Sequence, residues 1–169
     1  MKQAERYLDQ QTGLYNKEET QRLINEYLAL DKPGKHVLFV IDVDNYREIN
    51  QIFGRTVGNT LIKDMSHKIK ASFRNSDIVG RIGGDEFAAI LPTVKSNSCE
   101  RIREKLLQVN ERLNHPDSDD IPVSLSMGVA SSCSGYHDKL FEQADRAMYV
   151  VKENGRNGCL IYSEEMSAQ

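Results

Sequence analysis

The chain has 169 residues, 39% of them hydrophobic, enough for one compact domain with its own core. A formal net charge of -3 argues against broad nucleic-acid affinity, and no apolar stretch approaches the roughly 20 residues needed to span a bilayer, so no membrane contact is expected of this domain. Cys99, Cys133 and Cys159 are far apart without a CxxC pair, which reads as free thiols in a reducing, cytoplasmic setting, and the four histidines lack zinc-ligand spacing.

Residues 1–10 are polar and helix-favouring, and are expected to be a linker or the end of a signalling helix from an upstream sensor domain. Asn16 and Glu19 form a capping pair. The helix they start places Leu23, Ile24, Tyr27 and Leu28 on one face. Residues 31–34 are a turn, and His36 to Ile41 is an apolar run expected to be a central strand that delivers Asp42 and Asp44 to its end. A short helix follows over 46–53, broken at Gly54. Leu61, Met65, Ile69 and Phe73 mark a longer one. The segments 78–82 and 87–91 flank Gly83-Gly84 and read as a hairpin. Cys99, Ile102, Leu106, Val109 and Leu113 step by three and four along another helix. After a polar loop over 115–120, Val123, Leu125 and Met127 alternate with serines as a half-buried strand. A last helix over 140–151 ends near Gly155, and 160–162 is a closing strand. The order α-β-α-α-β-β-α-β-α-β predicts an α+β fold, a mostly antiparallel central sheet flanked by helices.

Two acidic strand ends stand out: Asp42-Val43-Asp44, and Asp85-Glu86 beside two glycines. Carboxylates at the ends of buried strands are rigidly held, and a pair of them beside a glycine turn suits a divalent cation against a polyphosphate. Gly83 and Gly84 admit close approach of phosphates. Lys152 and Arg156, four apart on or just after the last helix, fall on one side of it, which for an isolated pair reads as a solvated helix face.

With these residues in order, together with Asp9, Thr12-Gly13-Leu14, Asn50, Gly54, Gly58, Gly83-Gly84-Asp85-Glu86-Phe87, Ser126-Met127-Gly128, Ala144-Asp145, Ala147-Met148-Tyr149 and Gly155-Arg156-Asn157, the chain resembles the GGDEF domain of diguanylate cyclases over roughly residues 9–162. The domain is accordingly set at 11–163, with a tail over 164–169. The resemblance implies a fold similar to polymerase palms and adenylyl cyclases, and condensation of two GTP into cyclic di-GMP and pyrophosphate by a transient homodimer. It implies Mg²⁺ (or Mn²⁺) held by Asp42, the Val43 carbonyl, Asp85 and Glu86, with Asp85 and Glu86 catalytic and Glu86 activating the attacking 3′-hydroxyl.

The resemblance implies Asn50 and Asn59 at the guanine edge, Tyr46 among the substrate contacts, Arg47 where the family has a phosphate-facing lysine, and Lys152 and Arg156 on the β- and γ-phosphates. Arg74-Asn75-Ser76-Asp77, with Arg81 assisting, matches a site where the product binds as feedback inhibitor. Four positions depart from the family: Asn59 replaces its aspartate, Arg55 its histidine, Arg47 its lysine and Tyr46 its phenylalanine. An aspartate accepts twice, matching guanine N1–H and N2–H₂, whereas an asparagine offers one acceptor and one donor. This keeps two alternatives beside the cyclase, a non-catalytic GTP or cyclic-dinucleotide receptor and a cyclase of relaxed base specificity that makes an adenine-containing product such as cyclic AMP-GMP.

Overall fold

The computed structural model describes residues 4–30, 33–91, 98–114, 121–134 and 139–168. Five strands form one sheet: β1 (Pro33–Val43), β2 (Ile78–Arg81), β3 (Glu86–Leu91), β4 (Leu125–Ser134) and β5 (Gly158–Ile161). Their spatial order is β2-β3-β1-β4-β5, antiparallel throughout except for the parallel β4–β5 pair. The helices are α1 (Lys17–Leu28), α2 (Tyr46–Phe53), α3 (Arg55–Ser72), α4 (Ser98–Asn114) and α5 (Leu140–Glu153). The fold is the expected α+β architecture, with the predicted polar loop over 115–120 lying outside the described residues.

Alternation along the central strand divides the core in two. Val37, Phe39, Ile41 and Val43 face one layer with Ile49, Ile62, Met65, Ile69, Ile102 and Leu106 from α2, α3 and α4. Leu38 and Val40 face the other, with Ile24 and Leu28 of α1 and Leu140, Ala144 and Met148 of α5. Phe39 and Phe73 meet edge-on in the first layer at 5.4 Å between centroids, a contact that adds to the ~1.5–3 kcal/mol of burying each ring. The same alternation aims Asp42, the last even-numbered residue of β1, at the α1/α5 layer.

Local chemistry sets the helix ends. The Asn16 side chain accepts from the Glu19 N–H at 2.9 Å, while the Glu19 carboxylate turns to Arg22 instead of closing the reciprocal half of the cap. At the end of α5 the Arg156 N–H reaches Val151 O at 2.9 Å and the Gly155 N–H reaches Lys152 O at 3.4 Å, with Gly155 at φ 99°. This is a glycine-terminated helix end. Buried His36 stands edge-on to Tyr27, and neither ring nitrogen has a hydrogen-bond partner among the described residues; we have no physical account of that choice.

The ends of the chain carry structure that composition does not announce. Residues Ala4–Tyr7 form a 3₁₀ turn and Glu164–Ala168 another. Leu8 bridges Tyr15, and Tyr15 in turn bridges Gly80 of β2. The Arg146 Nε donates to Met166 O at 3.3 Å.

Candidate functional site

The site gathers at the end of the sheet where β1 and β3 finish their pairing. Asp42 and Glu86 are direct partners in that antiparallel ladder, so both side chains leave the same face, with Cβ atoms roughly 4.5–5.5 Å apart. Two like charges so placed repel unless a cation lies between them. Lys152 of α5 supplies one positive charge, its Nζ lying 2.8 Å from Asp42 Oδ2. Burial pushes the Asp42 carboxyl up to about 6, with Asp85 and Asp44 adding to the rise and the Lys152 bond opposing it.

The β2–β3 turn separates two hollows. Gly84 and Asp85 border an open cleft of about 670 Å³ toward α2 and α3, together with Tyr46, Arg47, Asn50, Asn59 and Arg81. Glu86 borders a groove of about 410 Å³ on the other side, between α1 and the start of α5, where Lys17, Gln21 and Phe141 also stand. The turn is tied to β1 by the Val43 N–H donating to Asp85 O at 2.9 Å. Neither glycine has positive φ, so turn conformation does not require them. A Cβ on Gly83 would press on the Glu86 carboxylate at 2.7 Å, whereas one on Gly84 would meet nothing. The bareness of Gly84 has no internal cause and leaves its backbone open to a ligand.

The donor set tests the expectation of a hard divalent cation. Among the described residues no three His, Cys, Asp or Glu side chains come together. The predicted four ligands are therefore not a preformed cage: Asp85 and Glu86 open onto different hollows. Mg²⁺ characteristically takes one or two carboxylates and completes its shell with substrate phosphates and water. The paired Asp42 and Glu86, one buried and already matched with an ammonium, fit that pattern.

Arg81 sits apart from its expected role. Its Nε and Nη2 donate to Gly83 O and Gly84 O at 3.0 and 2.6 Å, and its Nη1 to Asp9 Oδ1 and Gln11 Oε1 at 3.1 and 2.7 Å. The guanidinium braces the glycine turn against the N-terminal loop and is not free to assist Arg74. The Asp9 carboxyl is held below its usual range: burial alone would raise it, but the bonds from Thr12 and Arg81 outweigh burial. Asp77 is also turned inward, accepting the Arg74 N–H at 2.7 Å while nearly buried. The charged residues that share a hollow with Arg74 are Arg101, Glu104 and Lys105 of α4, in a space of about 440 Å³. Arg101 and Lys105 are four apart and so lie on one helix face, but nothing local linked them to Arg74.

The spacing argument for Arg156 also changes. α5 stops at Glu153, and Arg156 is exposed in a left-handed conformation at φ 67°. Its four-residue distance from Lys152 is thus not helical. Two further residues went unassigned in the sequence. Asp44 is buried, accepting from Ser124 Oγ and Ser126 Oγ at 2.6 and 2.7 Å and from the Asn157 N–H at 3.2 Å, so it locks β4 and the loop after α5 to the end of β1. Gln11 donates to Asn59 Oδ1 at 2.8 Å. The serines alternating in β4 were a readable signal for Asp44's partners; Gln11 had none.

Comparison with known proteins places this geometry. Residues 6–158 match the family model "Diguanylate cyclase, GGDEF domain". The chain is 33% identical over 160 residues to the probable diguanylate cyclase DgcC of Escherichia coli (strain K12), covering 88% of this chain and 41% of that protein. It is 36% identical over 126 residues to diguanylate cyclase DosC of the same strain, covering 71% of this chain and 27% of the relative. The chain thus spans less than half the length of these curated relatives. Among solved structures, the GGDEF domain of PA1120 (TpbB or YfiN) from Pseudomonas aeruginosa superposes with a TM-score of 0.84 at 26% identity, covering 95% of this chain and 97% of that one. The chain belongs to the diguanylate cyclase GGDEF domain family.

Proposed function

We propose that this domain condenses two GTP molecules into cyclic di-GMP, two copies meeting about a twofold axis so that each bound nucleotide faces the other. The carrying observation is the directly opposed Asp42–Glu86 pair, separated only by the glycine turn from a nucleotide-sized cleft edged by Gly84 and Asp85. Each 3′-oxygen attacks the facing α-phosphorus. A new P–O bond forms, the α–β bridge breaks, pyrophosphate leaves, and Glu86 takes the hydroxyl proton; two such events close the ring. When bound, Mg²⁺ (or Mn²⁺) at Asp42, Val43 O, Asp85 and Glu86 supplies charge neutralisation for the phosphates. Lys152, Arg156 and Arg47 supply the remaining positive charge, and Asn50, Asn59 and Tyr46 line the base side.

DgcB from Caulobacter crescentus has been solved with cyclic di-GMP, which shows that a related fold holds the product. Here the hollow of Arg74, Arg101 and Lys105 is the proposed feedback site. Arg74→Ala is expected to weaken product inhibition about 10- to 100-fold, one charge-assisted contact's worth, with uninhibited turnover unchanged. The inhibition constant for added cyclic di-GMP checks this.

The function is tested by incubating the domain, alone and fused to a dimerising helix, with Mg²⁺ and equimolar GTP and ATP. Products are read by mass spectrometry. Cyclic di-GMP supports the proposal. An adenine-containing dinucleotide supports the relaxed-specificity reading that Asn59 favours. Nucleotide binding without product from the dimerised form leaves the receptor reading.

A further inference from the structure

We infer that Gln11 sets the base preference of the cleft by fixing which end of the Asn59 amide faces it; the inference rests on the nucleotide reading of that cleft. An amide's two ends are told apart by their partners. The Arg81 guanidinium only donates, so the Gln11 atom 2.7 Å from it must be Oε1. Gln11 then has only its Nε2 to give to Asn59, at 2.8 Å from Oδ1. One lone pair of the Asn59 Oδ1 is thereby engaged and that end of the amide is held toward Gln11, so its Nδ2 is the end left for the cleft. The orientation is anchored at its far end, because Arg81 is also bound to Gly83 O, Gly84 O and Asp9.

Asn50 is fixed in the opposite sense. Its Nδ2 donates to Tyr46 O at 2.9 Å; its Oδ1, packed beside Gly58, takes no hydrogen bond among the described residues, and Asn50 lines the cleft, so the acceptor is the end it has left for a base. The base therefore meets one acceptor, from Asn50, and one donor, from Asn59. Guanine satisfies this pair with N1–H and O6. Its 2-amino group, which a doubly accepting residue at position 59 would read, is left unread.

The consequence is measurable with nucleoside diphosphates, which cannot be condensed. GDP and IDP carry the same charge and the same N1–H and O6, and differ only in the 2-amino group. Isothermal titration calorimetry of the domain with Mg²⁺ is expected to give affinities for GDP and IDP within threefold. Gln11→Glu keeps the bond to Arg81 but removes the donor. The Asn59 amide must then invert, donating to the carboxylate introduced at position 11 and turning Oδ1 to the cleft, and the GDP-to-IDP ratio is expected to rise at least fivefold. Added negative charge weakens both ligands equally and cancels in the ratio, as does any general loosening. Asn59→Asp is expected to raise the ratio about tenfold. A tenfold preference for GDP in the wild type, or an unchanged ratio in Gln11→Glu, overturns the inference while leaving the cleft a nucleotide site. Failure of the wild type to bind either ligand overturns the reading of the cleft and this inference with it.

Discussion

Glu86→Gln is expected to slow cyclic di-GMP formation by about 10²- to 10⁴-fold, the range for losing a general base, and at the same time to raise thermal stability. The two effects have one origin. Glu86 faces Asp42 directly across the β1–β3 ladder, and like charges so placed are destabilising by about 0.2–1 kcal/mol. Glutamine has the same shape, so the room left by the absent Cβ of Gly83 still suits it. It removes one charge of the pair and with it the lone pair that accepts the 3′-hydroxyl proton. For a domain of this size the relief corresponds to about 1–3 °C in Tm. Because the base side of the cleft is untouched, GDP affinity is expected to stay within threefold. Turnover within threefold of wild type, in the dimerised form, removes Glu86 from the role of base; a lowered Tm removes the claim of strain.

This opposition between activity and stability separates the site from the core. A residue that only holds the fold loses both together when altered. Lys152 illustrates the intermediate case: its ion pair with Asp42 partly offsets the desolvation that lifts the Asp42 carboxyl, while the proposed function would turn the same ammonium to phosphate.

Much of this was legible in the chain. The four-residue steps of α3 carry a helical periodicity, the apolar run of β1 is short and rich in β-branched and aromatic residues, and the paired glycines mark the hairpin turn. Where periodicity failed, function or close packing explains it. α3 begins at Arg55, six residues before its first apolar marker Leu61, because its first turns are exposed and carry Asn59 at the cleft. β4 continues to Ser134, beyond the expected 123–127, through Gly128, Ala130 and serines. Small residues there make room for α5 and so lack a strand's usual bulk. Residues 1–10 read as a polar linker because the value of Asp9, like that of Gln11 just beyond, lies in accepting hydrogen bonds from Arg81, about seventy residues away. Composition does not register a partner so distant. The identity of Asn59 was legible, but the orientation of its amide was not, since that depends on a chain of donors ending at an arginine on another strand.

Gly128→Ala is expected to cost about 3 kcal/mol, the upper part of the overpacking range, and to lower Tm by about 6–12 °C. A Cβ at this position would fall inside the contact radius of both the Ala144 carbonyl oxygen and the Met148 nitrogen of α5. Those neighbours are backbone atoms of a helix, not the ends of flexible side chains, so relief requires α5 to move off β4 as a body. Ala144 and Met148 belong to the same apolar layer as Leu38, Val40 and Ala130, and lifting the helix opens that layer along its length. Lys152 rides on the same helix, so its Nζ leaves Asp42, and Asn157 in the following loop leaves Asp44. Activity is therefore expected to fall with stability in this variant, the reverse of Glu86→Gln. Gly84→Ala supplies the contrast. Its Cβ meets nothing in the protein, so urea denaturation is expected to give a stability within about 0.5 kcal/mol of wild type, while GDP binding weakens because the added methyl stands where phosphate approaches. Equal stability losses at the two glycines would mean that Gly84 is held by the fold and not by a ligand.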